Sequence, residues 1–190
     1  RLYHRDMTPH EEHDPTRYLN REISLLDFQE RVFHLAEDSD LPLLERFKFV
    51  AIVSSNIDEF FQVRVAGLVE QVRNDVSSSS PDGLSPQEQI EAINDRVADL
   101  QGRIDSLFTK ELIPALDQAG VQIESLEDLN ESDRQYVDEV FEDQVFPVLT
   151  PLAVDPSHPF PYISNLSLNI AVLVRDDEGT TQFARVKIPP

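Results

Sequence analysis

The chain of 190 residues carries 16 Lys and Arg against 36 Asp and Glu, a net charge of −20. Such an excess of carboxylates argues against the basic surface that nucleic acid or an anionic membrane requires, and the absence of Cys excludes disulfides, zinc–thiolate sites and thiol nucleophiles. Apolar residues make up 40% of the chain and Phe occurs 11 times, enough for a core in one or two domains.

The acidity is local. Residues 76–145 hold four basic and seventeen acidic side chains, a net −13, which reads as a solvated helical face. No apolar run approaches the roughly 18 residues of a membrane span, and Arg1–Thr16 contains no apolar signal-peptide core. Cytoplasmic residence is therefore the default expectation. Because the first residue is Arg1 and not Met, the chain also reads as a piece of something longer.

Residues 1–16 read as a flexible polar tail. His4, His10 and His13 stand there beside Glu11, Glu12 and Asp14; a mobile tail is preferred over a metal site. From Ser24 the pattern turns helical. Ser24 to Asp27 resembles a capping box, and Leu25, Phe28, Val32 and Leu35 follow at helical spacing. Pro42 suits the first position of a second helix with Leu43, Leu44, Phe47, Val50 and Ala51 inward. Ser54-Ser55-Asn56 reads as a break and a new N-cap, opening a third helix with Phe61, Val65, Leu68, Val69 and Val72.

Ser77–Ser80 with Pro81-Asp82-Gly83 is the clearest loop, after which Ser85 and Pro86 restart a helix. Its apolar stripe of Ile90, Ile93, Val97, Leu100, Ile104 and Leu107 suits a long helix packed on the first three; an oligomer seam is the rival reading. Pro114 is expected to kink or end that helix, with Gly120 as its stop. Val121–Ile123 suggests a short strand. Asn130 or Ser132 caps another helix with Tyr136, Val137, Val140, Phe141 and Val145 as its core face. Five prolines between Pro147 and Pro161 then exclude regular helix, and Leu166–Val174, a turn at Asp176–Gly179 and Thr181–Ile188 read as a hairpin. The expected fold is a mostly α N-terminal helical domain over 17–120, followed by the beginning of an α+β domain over 121–190. A chain that stops just after a strand reads as incomplete there.

The stretch Ser54–Phe61 carries the functional reading. Small polar residues at a helix N-terminus favour an anion or phosphate, and Asn56 adds an amide that donates to phosphate or accepts from sugar or base. Arg46, Lys48 and Arg64 are candidates for the neighbouring positive charge, and an ordinary N-cap is the competing reading. With five Gly and no glycine-rich loop, a P-loop is excluded. Asp58 and Glu59 point about 100° apart on a helix, so a dipole role is preferred to metal binding. His34 and His158 lack a partnering acid or nucleophile in sequence.

Three stretches carry a resemblance: Arg17–Ser24 with Phe28, Pro42–Phe49 with Ser55–Leu68, and Phe146–Pro156 through His158–Asn165. Together they resemble the large, histidine-phosphorylated polyphosphate kinases of bacteria, the first two their N-terminal domain and the third the start of their head domain. Leu25 stands where that family usually has Trp, and Gln29 where it has Asn; both positions read as packing or capping. The resemblance implies reversible transfer of the terminal phosphoryl group of ATP to polyphosphate through a phosphohistidine, with Mg²⁺. It also implies a homo-oligomer and allows peripheral membrane association. It places the catalytic histidines, metal ligands and phosphate-gripping arginines outside this chain, so no catalytic or metal residue is expected here and the piece alone is expected to be inactive. One nucleotide contact carries over: the Asn of the Ser-Asn-Ile-Asp-Glu-Phe motif, Asn56.

Overall fold

The computed structural model describes residues 14–76, 78–154, 160, 162–175 and 179–189. They form two compact units that part between Ile123 and Glu124. The first is all helical; the second joins a helix to a small antiparallel sheet.

Helix α1 (Arg21–Glu37) begins earlier than the spacing from Ser24 predicts. Asn20 is its cap: Oδ1 accepts from the backbone N–H of Glu22 (2.9 Å) and Ile23 (3.1 Å). The loop around Asp82 holds this cap, because Asn20 Nδ2 donates to Asp82 and to Gln89 Oε1, each at 3.2 Å. A tertiary network that local sequence does not reveal thus selects Asn20 over Ser24. Pro15–Arg17, assigned in part to the tail, form a short 3₁₀ turn capped by Asp14. His4, His10 and His13 lie outside the described residues.

Helix α2 (Leu43–Phe60) starts one residue after Pro42, which stands in the cap position. It does not break at Ser54-Ser55-Asn56. It continues through a widened turn, Phe61–Val65, into α3 (Ala66–Arg73). In that turn Ala66 N–H donates to Phe61 C=O, five residues back instead of four. Burial overrides the capping chemistry: Val53, Ile57 and Phe60 face inward at helical spacing, and a helix that keeps all three in the core outweighs the modest helix preference of Ser and Asn.

Helix α4 (Pro86–Leu107) has the expected start. Ser85 and Glu88 form a full capping box with Pro86 in the first turn. Its apolar stripe is consumed inside the unit, which overturns the reading of that stripe as an oligomer seam. Ile93, Leu100, Ile104 and Leu107 are buried, and Val97 and Ile90 pack beside them. Pro114 does not end the helix; a second widened turn, Phe108–Leu112, precedes α5 (Ile113–Gln118) and accommodates the missing N–H. Gly120 is the stop, at φ +84°. Val121 N–H donates to Leu116 C=O and Gly120 N–H to Asp117 C=O, both at 2.9 Å, a complete Schellman closure. No strand forms beyond it at Val121–Ile123, where the chain leaves the closure without a pairing partner among the described residues.

Two connected clusters make the core of the helical unit. Phe33, Val53, Ile104, Leu107 and Leu112 belong to one; Leu26, Phe60, Val65, Leu68 and Ile93 belong to the other. Arg103 closes one edge, donating to Glu30 (2.6 Å) and Glu37 (2.9 Å) while its guanidinium lies 5.3 Å from the Phe33 ring centre.

In the second unit Asn130 caps α6 (Glu131–Val140), which widens at Phe141–Val145 before a 3₁₀ turn at Phe146–Val148. The expected core face of α6 is not buried: Tyr136, Val137 and Phe141 are exposed. The hairpin is present as β2 (Asn169–Arg175) and β3 (Thr181–Lys187), although positions 176–178 of its turn lie outside the described residues. A third strand, β1 (Pro151–Val154), pairs antiparallel with β3 from Pro151↔Val186 to Val154↔Phe183, giving the order β1-β3-β2. Pro151 is tolerated because it opens an edge strand.

Candidate functional site

Asn56 lies in the interior of a helix, so the expected anion site at a helix N-terminus is overturned. Asp58 and Glu59 fall near the end of α2 and not in a first turn, which removes their dipole role as well. Asn56 nevertheless opens onto a pocket of about 250 Å³, lined by Leu25, Gln29, Asn56, Glu59, Phe60, Val63 and Arg64.

The pocket follows from helical periodicity. Leu25 and Gln29 are four apart and share one face of α1; Asn56, Glu59, Phe60 and Val63 share one face of α2 and its extension. Arg64 needs more. Eight residues of unbroken α-helix turn through about 800°, leaving Arg64 about 80° around the axis from Asn56. The widened turn absorbs one residue and reduces that offset to about 20°. Both side chains therefore reach the same pocket.

Of the three proposed cations, the structure brings only Arg64 to Asn56. Arg46 is buried and spent: its Nε donates to the Ala36 carbonyl at 2.7 Å and an Nη to Glu111 at 3.0 Å. Lys48 pairs with Glu45 at 3.3 Å on the surface. Arg64 Nε itself stands 3.8 Å from Oε2 of Glu22, which is buried. Glu22 also pairs with Arg21 at 2.8 Å, and the charged side chains lining the pocket are one carboxylate, Glu59, and one guanidinium, Arg64, so the lining carries no net positive charge. That balance suits the neutral base or sugar end of a nucleotide better than its phosphates.

Asn56 Nδ2 donates to Gln29 Oε1 at 2.9 Å. Gln29 and Leu25 read in sequence as packing or capping positions, yet both line this pocket. The spacing of four between them, and their joint departure from the family pattern, are the sequence signals that could have found them. His34 is a surface residue 3.8 Å from Glu37, and His158 lies outside the described residues. Among the described residues no group of three or more His, Asp or Glu side chains is placed to hold a metal ion. Nor is any described helix long and apolar enough to cross a membrane.

The chain is thus a helical module with an amide-lined pocket, joined to an antiparallel α+β unit. The profile of the polyphosphate kinase N-terminal domain matches residues 18–124, and that of the polyphosphate kinase middle domain matches 132–190. The chain belongs to the polyphosphate kinase family. Polyphosphate kinase from Mycobacterium leprae is 52% identical over 174 residues, covering 91% of this chain and 24% of that protein. The Mycobacterium ulcerans protein of the same name is 49% identical over the same share. The crystal structure of polyphosphate kinase from Porphyromonas gingivalis superposes with a TM-score of 0.67 at 26% identity, over 89% of this chain and 25% of that one. The chain therefore spans about a quarter of the length of these relatives.

Proposed function

We propose that this chain is the N-terminal part of a polyphosphate kinase that reversibly transfers the terminal phosphoryl group of ATP to polyphosphate. Its helical domain, residues 17–120, supplies a nucleotide contact at Asn56, and residues 121–190 begin the α+β head. Asn56 carries the reading: its amide opens into the pocket, and its Oδ1 takes no hydrogen bond from another described residue. Phosphoryl transfer depends mainly on positioning and on neutralising charge. This chain contributes positioning. Neutralisation and the histidine that accepts the phosphoryl group belong to other parts of the parent enzyme, as does any Mg²⁺. A cytoplasmic homo-oligomer is the setting this reading implies.

The test uses the full-length protein. Asn56→Ala is expected to raise the KM for ATP several-fold, the cost of about one hydrogen bond, while leaving the melting temperature unchanged. Unaltered steady-state kinetics overturn the assignment.

A further inference from the structure

Glu22 stands in the first turn of α1 and is 5% exposed, an unusual degree of burial for a carboxylate. Its Oε1 is occupied: Arg21 donates to it from Nε at 3.0 Å and from an Nη at 2.8 Å. Its Oε2 is buried and has no hydrogen-bond partner among the described residues, a costly state for a charged oxygen. The cation facing Oε2 is Arg64, whose Nε stands 3.8 Å away. A shift of about 1 Å by that half-exposed side chain completes the bond. Beyond Nε, Arg64 carries two Nη groups with no hydrogen bond to any described residue, and it lines the pocket beside Asn56.

We propose that Glu22 is a positioning residue: Oε2 takes the Nε–H of Arg64 and fixes the guanidinium with its Nη groups at the pocket, as donors to acceptor atoms on the base or sugar of the nucleotide. The proposal rests on the nucleotide reading given above. The contact has one sense only. A carboxylate accepts and never donates, and a guanidinium donates and never accepts, so neither partner finds an equivalent arrangement by turning over. Engaging Nε uses one of the five N–H groups of Arg64 and leaves the four on Nη. Released from Glu22, the long side chain extends into solvent or pairs with Glu59, the carboxylate that lines the same pocket, and either way the donors are withdrawn. Glu22 is not part of that lining, so it acts on the nucleotide only through Arg64.

The test is a double-mutant cycle on the KM for ATP in the full-length protein. Arg64→Ala is expected to raise the KM about tenfold, the worth of a hydrogen bond to a charged group. Glu22→Gln keeps the shape and removes the charge that holds Arg64; it is expected to raise the KM in the same direction with kcat retained, and to add nothing in the Arg64→Ala background. If Glu22→Gln does not accumulate as folded protein, Glu22→Asp shortens the arm by one methylene and is expected to give the same non-additive rise. A KM that is unchanged by the residue 22 variant overturns the role of Glu22, and so does one that falls, as a carboxylate merely repelling an anionic ligand requires. Equal rises with and without Arg64, or a parental KM in Arg64→Ala, overturn it as well. In each of these cases a raised KM in Asn56→Ala leaves the pocket reading standing. Loss of any effect from Asn56→Ala overturns both.

Discussion

Ser55 distinguishes the two ways of building the site, because substitution there has opposite signs in each. It is exposed and lies well inside α2, with helix on both sides. In a helix interior Ala is preferred to Ser by about 0.5 kcal/mol, so Ser55→Ala is expected to stabilise the chain slightly. At an N-cap the same change costs about 1 kcal/mol. Ser55→Pro extends the contrast. Inside a helix it removes the N–H directed at residue 51 and drives the ring against that carbonyl, a cost of about 3 kcal/mol or more. For a unit of this size that lowers the melting temperature by about 10 °C or more. Guanidinium unfolding followed by far-UV circular dichroism reads both variants. If Ser55→Ala destabilises while Ser55→Pro is tolerated, a helix starts at Ser55, and the continuous α2 that buries Val53 and Ile57 on one face does not exist.

Other substitutions probe the scaffold around the pocket. Phe33→Ala empties a fully buried position in the core and is expected to cost about 3–5 kcal/mol in the same unfolding assay. Gly120→Ala places a side chain at a positive φ that the helix stop requires, and is expected to cost about 1–2 kcal/mol. Ser85→Ala removes the cap of α4 at a cost of about 1 kcal/mol. Hydrogen bonds from the Ser85 side chain and then its backbone N–H hold the Glu88 carboxyl below its ordinary value of 4.5. A carboxylate depressed in the folded state stabilises the fold above that ordinary value, and the contribution is lost as pH falls through the lowered one. An acid titration of α4 is therefore expected to show a smaller Glu88 component in Ser85→Ala, because the hydroxyl bond is lost while the backbone N–H bond remains.

The parts of the fold legible in the sequence are those in which local chemistry and burial agree. Ser85-Pro86 with Glu88, the Ile93–Leu107 stripe, Gly120 and Asn130 each carry a local signal that the tertiary structure uses. Where the two disagree, burial prevails. Ser54, Ser55 and Asn56 look like a cap, but Val53, Ile57 and Phe60 require a continuous helix. Ser24 looks like a cap, but the loop at Asp82 engages Asn20. The strand β1 hides in a proline-rich run because its partner β3 follows only after the whole of β2. At the site, Asn56 is legible from its motif. The bond from Asn56 to Gln29 is not, since a contact across 27 positions leaves no local trace.

The open sheet of the second unit has a consequence for handling the protein. Among the described residues its order leaves β1 and β2 as unpaired edges, and Ile170, Leu173 and Val174 on β2 are exposed. Bare edges of this kind recruit strands from other molecules. The net charge of −20 opposes such encounters, but only over the screening distance, about 30 Å at 0.01 M salt and about 3 Å at 1 M. Ionic strength therefore acts as a colloidal control: dilute buffer keeps copies of the chain apart, and concentrated salt lets their sheet edges meet.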